Sequence, residues 1–199
     1  MTSLWASTNT EEWHDALARY DRVVGAQGVD RLPDLDSWYR EELPTLVAAR
    51  RPAHVTLPDL VQLTEWKMAR GVWRAPNLVL VRSNRPDAVV ETSAAALAAA
   101  PHATAPISAL ATLKGVGPAT ASGVAAAAAP SVYPFFDELV AAQVPALGQV
   151  AWTLGYYARY ADALRARSAR LGDAWTPMMV ERALWAHVGG KTGRASLSK

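Results

Sequence analysis

Cysteine is absent from the chain, which rules out disulfides within it or to a partner, thiolate-held iron-sulfur clusters and cysteine-type zinc sites. Histidine is scarce: His14, His54, His102 and His187 stand far apart with no pair at helical ligand spacing, so no metal is expected and no cofactor is implied. Net charge is small, +2 over 199 residues, and by itself makes no case for nucleic acid. Unbroken apolar runs are also missing. The longest uncharged stretches, 92–113 and 115–136, are interrupted by Pro101, Pro106, Gly117, Pro118, Gly123, Pro130 and Pro134, and neither is expected to span a membrane. Residues 1–10 carry neither a basic nor an apolar stretch; no secretory signal is read there, and the cytoplasm is the expected compartment.

What is present is apolar residue, 51% of the chain against 19% charged, enough for one substantial core. Charge is unevenly spread. Residues 11–42 hold nine acids against four bases, whereas 50–85 hold seven bases against two acids and 159–199 eight against three. Two basic segments thus flank a nearly uncharged middle.

Helical signals dominate. Asn9 with Glu12 reads as a capping box, and Trp13, Leu17, Tyr20 and Val24 follow at helical spacing to a stop near Gly25 or Gly28. Asp36 reads as the cap of a second helix, kinked or restarted at Pro44. Thr56 caps a third, with Pro58 in its first turn and Gly71 as its stop. Leu78 to Val81 suits a strand by propensity but lies between helical patterns and is assigned to helix. Pro86 opens an alanine-rich helix to Ala99, a long helix is predicted from Ala146 to Leu171, and Thr176-Pro177 opens a last one through Trp185. The expectation is an all-α, compact multi-helix fold: one domain over residues 1–188, then a mobile tail at 189–199.

The strongest local signal is Leu113-Lys114-Gly115-Val116-Gly117-Pro118-Ala119-Thr120-Ala121, between a helical Ile107 to Thr112 and an alanine-rich helix running to about 129. Two glycines around Val116 permit a tight turn at positive φ, so that backbone N–H groups approach an anion closely. Pro118 starts the next helix, whose first-turn N–H groups and dipole add to an electropositive hollow. A plain connection between two packed helices would use the same tripeptide. In its context, the segment resembles the helix-hairpin-helix of the base-excision DNA glycosylases, the superfamily of endonuclease III and alkyladenine glycosylase, in a divergent branch without an iron-sulfur cluster. The resemblance implies DNA as partner, with Lys114, Gly115, Val116, Gly117, Ala119 and Thr120 at a phosphate.

The likeness continues in Tyr133-Pro134-Phe135-Phe136-Asp137-Glu138, where that superfamily places its catalytic aspartate before another helix; Asp137 is the matching position. There the carboxylate faces the sugar of a flipped-out nucleotide and stabilises positive charge as the base departs, or positions the attacking water. Some members attack the sugar with a lysine of the second hairpin helix. Ala119 stands in that place, so the implied enzyme is a monofunctional N-glycosylase without lyase activity unless another lysine substitutes. The match covers about residues 56–143 and is motif-level over 107–138. The stretch between Gly71 and Leu113 is short for the helices that build a base pocket. This keeps open two alternatives: a non-catalytic module that binds DNA or a protein, and a helical fold in which the glycines are structural only. Asp137 is also open to a simpler role as a helix cap.

The segment Glu65 to Arg74 interleaves Trp66 and Trp73 with Lys67, Arg70 and Arg74, the composition of a base-stacking, phosphate-contacting surface. Trp66, Lys67, Trp73, Phe135 and Phe136 are therefore the pocket or stacking candidates, with Trp66 equally suited to the core. Lys67, if it faces the cleft, pairs with Asp137 or meets a phosphate. Trp13, Trp38, Trp152 and Trp185 are assigned to packing. Arg165, Arg167 and Arg170 either track a backbone or form a solvated face. Glu138 stands next to Asp137 and could share its work, but adjacent helical residues diverge by about 100°, so only one of the two is expected to enter a cleft.

Overall fold

Side-chain caps fix where the chain turns into helix. In the computed structural model, which describes residues 3–192, Asn9 accepts from the Glu11 N–H at 3.0 Å and opens α1 (Thr10–Ala18). Thr56 and Asp59 form a reciprocal capping box, with Pro58 in the first turn, and open α5 (Leu57–Arg70). Thr153 opens α11 (Leu154–Leu171) and Thr176 opens α12 (Pro177–His187). Each cap satisfies first-turn N–H groups that helix geometry leaves without partners. The remaining helices are α2 (Tyr20–Gly25), α3 (Leu32–Ser37), α4 (Leu43–Ala49), α6 (Ala75–Arg82), α7 (Pro86–Ala98), α8 (Ala105–Leu110), α9 (Pro118–Ala128) and α10 (Glu138–Ala141). The described residues hold no strand, and Leu78 to Val81 lies inside α6. No helix among them is long and apolar enough to cross a membrane.

Several boundaries differ from expectation. The cap at Asn9 serves Glu11 rather than forming a box with Glu12, and the first helix breaks at Arg19 into α1 and α2. Asp36 is not a cap. It sits buried in a continuous helical run in which α3 passes into α4 through a π turn, Trp38–Glu42, closed by Leu43 N donating to Trp38 O. This widened turn lies just ahead of Pro44, whose missing N–H would leave a carbonyl unpaired in a regular helix, and the chain stays helical through it rather than restarting. Asp36 instead receives Tyr20 Oη at 2.8 Å and Trp66 Nε1 at 2.9 Å on one oxygen and Arg40 Nε at 2.8 Å on the other. The helix expected from Ala146 begins only at Leu154. Gly148 adopts φ +67°, a left-handed conformation that ends the short 3-10 turn Pro145–Leu147.

α9 is the central helix. Residues 120–127 are all buried, and α4, α5 and α8 pack around it. A helix apolar on every side belongs inside a core, and its alanines let neighbours approach closely. At Gly123 an added Cβ would lie 3.1 Å from Leu63 Cδ2, while the Tyr39 hydroxyl donates to the Gly123 carbonyl at 2.9 Å. α12 packs on α1, α2, α10 and α11, so segments far apart in sequence close one contiguous apolar cluster. Part of the expected tail is also held. Gln27 donates to Gly189 O at 3.1 Å and accepts from Thr192 N at 3.2 Å; the rest of that tail, 193–199, lies outside the described residues.

Candidate functional site

Between α9 and α10 the chain runs without regular structure, and side chains satisfy its backbone. Phe135 O accepts from Tyr160 Oη at 2.7 Å, Pro134 O from Tyr157 Oη at 3.3 Å, and Phe136 N donates to Ser122 Oγ at 2.8 Å. Held from α9 and α11 in this way, the segment delivers Asp137 to the start of α10. There Asp137 Oδ1 accepts from Leu139 N at 2.7 Å and Val140 N at 3.4 Å. Its Oδ2 lies 3.8 Å from Arg70 Nε.

Arg70 is 1% exposed. Its Nη2 meets Glu181 Oε1 at 2.5 Å, on a carboxylate with no exposure at all. Its guanidinium also lies over Trp185, Phe135, Trp66 and Tyr20, at 4.5 to 5.7 Å from the ring centroids. Two carboxyl groups thus share one buried arginine. Burial pushes the Glu181 carboxyl up to about 8, Arg70 opposing and Asp137 adding to the rise. Burial alone would lower Arg70, but Glu181, Tyr20, Asp137 and Asp36 together outweigh it and hold the guanidinium above its ordinary value. Of the two carboxyl groups, Glu181 is thus the one whose neutral form burial favours.

On the other side of Asp137, α8 leads through a turn into α9. Gly115 takes φ +74°. Gly117 does not share this conformation: at φ −96°, ψ −179° it is extended. Two asparagines brace the turn. Asn84 bonds both the N–H and the carbonyl of Lys114 at 2.9 Å, and Asn77 Nδ2 donates to Gly115 O at 3.0 Å. Val116 N donates to Leu113 O at 3.1 Å and its side chain is buried. The main-chain N–H groups of Lys114 and Val116 are thus spoken for, and these two residues cannot hold a phosphate through them. Gly117, Ala119 and Thr120 retain N–H groups without helix partners, and Pro118 has none to offer.

These features open into one cleft of about 300 Å³, at the small end of ligand pockets. Gly117, Ala119 and Thr120 line it from α9, Lys67 and Arg70 from α5, and Phe135, Phe136, Asp137 and Glu138 from the clamped segment. Glu138 and Asp137 both line it after all, because Asp137 is the non-helical cap and the 100° divergence of successive helical residues does not apply to it. Thr120 Oγ1 is buried there without a hydrogen-bond partner. Among the described residues Lys67 has no ion pair, and it does not reach Asp137, whose partner is Arg70; burial lowers its ammonium below the ordinary value, with Arg74 adding.

Other candidates fall elsewhere. Trp66 is sealed in the core, stacked on Tyr39 at 3.6 Å and bonded to Asp36, so it cannot stack a base. Trp73 is half exposed and lies outside the cleft lining, as does Lys114. Trp152 reverses its assignment to packing: it is 48% exposed, touches Phe136 at 4.8 Å and forms an aromatic wall of the cleft. Arg165 is tied to Asp162 and Val132 O, and Arg167 to Ser7 O and Trp5 O, whereas Arg170 is exposed and has no such tie among the described residues. Sequence reasoning missed Asn77, Asn84, Glu181 and Lys191. Lys191 stands at the cleft wall because Gln27 holds the residues on either side of it.

The two glycines separate stability from access. A Cβ at Gly115 would lie 2.8 Å from Asn77 O and 2.9 Å from Val81 N, at a φ that side chains rarely adopt, whereas at Gly117 nothing lies within 4 Å. Gly115→Ala is expected to lower stability by about 1–3 kcal/mol and Gly117→Ala to change it by less than about 0.5 kcal/mol, as urea denaturation would measure.

No family model matches the chain, and no curated protein or solved structure matches it either.

Proposed function

We propose that the protein binds DNA in the manner of a helix-hairpin-helix glycosylase, takes one extruded nucleotide into the cleft, and uses Asp137 in hydrolysis of its N-glycosidic bond. The observation that carries this reading is that Asp137 and the unpaired N–H groups at the start of α9 open into the same small cavity. A backbone phosphate at Gly117, Ala119 and Thr120 meets N–H donors and the positive end of the α9 dipole. The neighbouring sugar then lies within reach of the Asp137 carboxylate, which opposes the positive charge that grows as the base leaves. Trp152 offers the extruded base a ring to stack on, one way of offsetting the few kcal/mol that unstacking costs. With Ala119 on the hairpin helix, the base-release step is hydrolytic.

The test is release of free base from duplexes carrying a uracil, a hypoxanthine or an alkylated adenine. Wild type should release one of them, and Asp137→Asn should slow that release by roughly 10²- to 10⁴-fold. Release at the wild-type rate from Asp137→Asn would overturn the role of the carboxylate.

A second reading is favoured by one observation, the commitment of Asp137 Oδ1 to the cap of α10. It describes a module that grips DNA without excising anything. Salt-sensitive duplex binding with no base released from any of the three substrates would select it.

A further inference from the structure

Lys67 has no role in the hydrolytic scheme, yet it lines the cleft that holds Asp137. Its surroundings are unusual for a lysine. The acid two residues before it, Glu65, is occupied by Arg31 at 2.8 Å and Arg82 at 2.9 Å. Asp137 is turned to Arg70 and the α10 cap. Among the described residues no carboxylate therefore pairs with the Lys67 amine, and Arg74, a second cation of the cleft lining, lies close enough to disfavour its charged form. The amine stands on a fourteen-residue helix locked by its capping box. A desolvated amine beside another cation and free of a carboxylate is the setting in which lysine acts as a nucleophile toward carbonyl carbon.

We propose that Lys67 captures the aldehyde of an abasic deoxyribose, giving the protein an abasic-site lyase activity that originates on α5 rather than on the hairpin helix. This inference rests on the DNA reading above. The neutral amine adds to C1′ of the ring-opened sugar, and the carbinolamine loses water to form a protonated imine. A cleft carboxylate, Asp137 or Glu138, removes a C2′ proton; the electron pair moves toward the imine, and the C3′–O bond breaks with departure of the 3′ phosphate. Water then hydrolyses the conjugated imine, releasing an unsaturated aldehyde on one strand end and a 5′ phosphate on the other, and freeing the amine. The water lost in the first stage balances the water taken up in the last, and no oxidant or reductant enters.

The experiment incubates wild type with a duplex carrying a preformed abasic site, in the presence of sodium cyanoborohydride, and maps the covalent adduct by peptide sequencing. A duplex with a tetrahydrofuran abasic analogue, which has no aldehyde, is titrated in parallel to report binding alone. The expected result is binding of the analogue, an adduct at Lys67, and at least a fifty-fold loss of adduct and of strand scission in Lys67→Arg, which keeps the charge but forms no imine. Mapping on wild type needs no variant to fold. Binding of the analogue with no adduct, or with the adduct at Lys114, Lys191 or the N-terminal amine, overturns this inference and leaves the DNA reading standing. Failure to bind the analogue at all overturns both.

Discussion

Replacing Arg70 by methionine is expected to lower the unfolding free energy by about 3–5 kcal/mol at neutral pH. The side chain spans the gap between Asp137 and Glu181 and fills the space between the Trp185, Phe135, Trp66 and Tyr20 rings. Methionine restores much of that volume but leaves two carboxyl groups in the interior with their shared cation gone. Removing one partner of a buried pair costs far more than removing both. The double variant Arg70→Met/Glu181→Leu should therefore recover most of the loss, though Asp137 keeps its cap hydrogen bonds and not its cation. Urea denaturation of the single and double variants checks this. A single variant within 1 kcal/mol of wild type would mean that the guanidinium is not what makes the two acids tolerable.

Stability is expected to fall as pH rises from about 5 to about 8, the reverse of the usual behaviour of carboxylates. Glu181 is held up to about 8 in the folded chain, against an ordinary value of 4.5. Below the ordinary value the group is protonated in both states and contributes no slope. Between the two values the unfolded chain has released the proton and the folded chain has kept it. Folding then takes up a proton, and each pH unit costs up to about 1.4 kcal/mol. Above 8 both states are ionised and the loss levels off. Asp59 acts oppositely: burial raises it, but hydrogen bonds from Arg50 and Thr56 outweigh burial and lower it, so its contribution disappears only as pH falls below the ordinary carboxylate range. The stability maximum should accordingly sit near pH 5. Unfolding midpoints at unit steps from pH 5 to 8 would show the slope, and Glu181→Gln should flatten it.

What could be read in the sequence was what local chemistry decides. The Thr56 cap with Pro58 that starts α5 and the Thr176-Pro177 start of α12 are local signals and occur where the pattern put them. Asp36 carries the same local signature of a cap, but its donors come from Tyr20, Arg40 and Trp66, and only the assembled fold brings these together. Arg70 failed for a related reason. Beside Lys67 and Arg74 it has the composition of a basic surface, and its burial depends on Glu181, 111 residues away. Trp152 fell at helical spacing from Tyr156, and nothing in that spacing reveals that the backbone leaves the helix at Thr153. At the candidate site, Asp137 was open to two readings, cap or cleft acid, and the structure gives it both positions at once.

The π turn at Trp38–Glu42 sets a phase relation between two halves of one helical run. Tyr39, within it, stacks on Trp66 and reaches the carbonyl of Gly123; Asp36, just before it, collects Tyr20 and Trp66. Three residues apart, they share one face as in any helix; what the extra residue of the turn sets is their phase relative to Leu43 and Val47, buried beyond it. Deleting a single residue there would let the run relax to an ordinary helix and rotate everything before it by about 100°, carrying Asp36 away from its donors while every amino acid of the core remained in place. Here the length of a turn is as much a specification of the interior as the identity of any side chain.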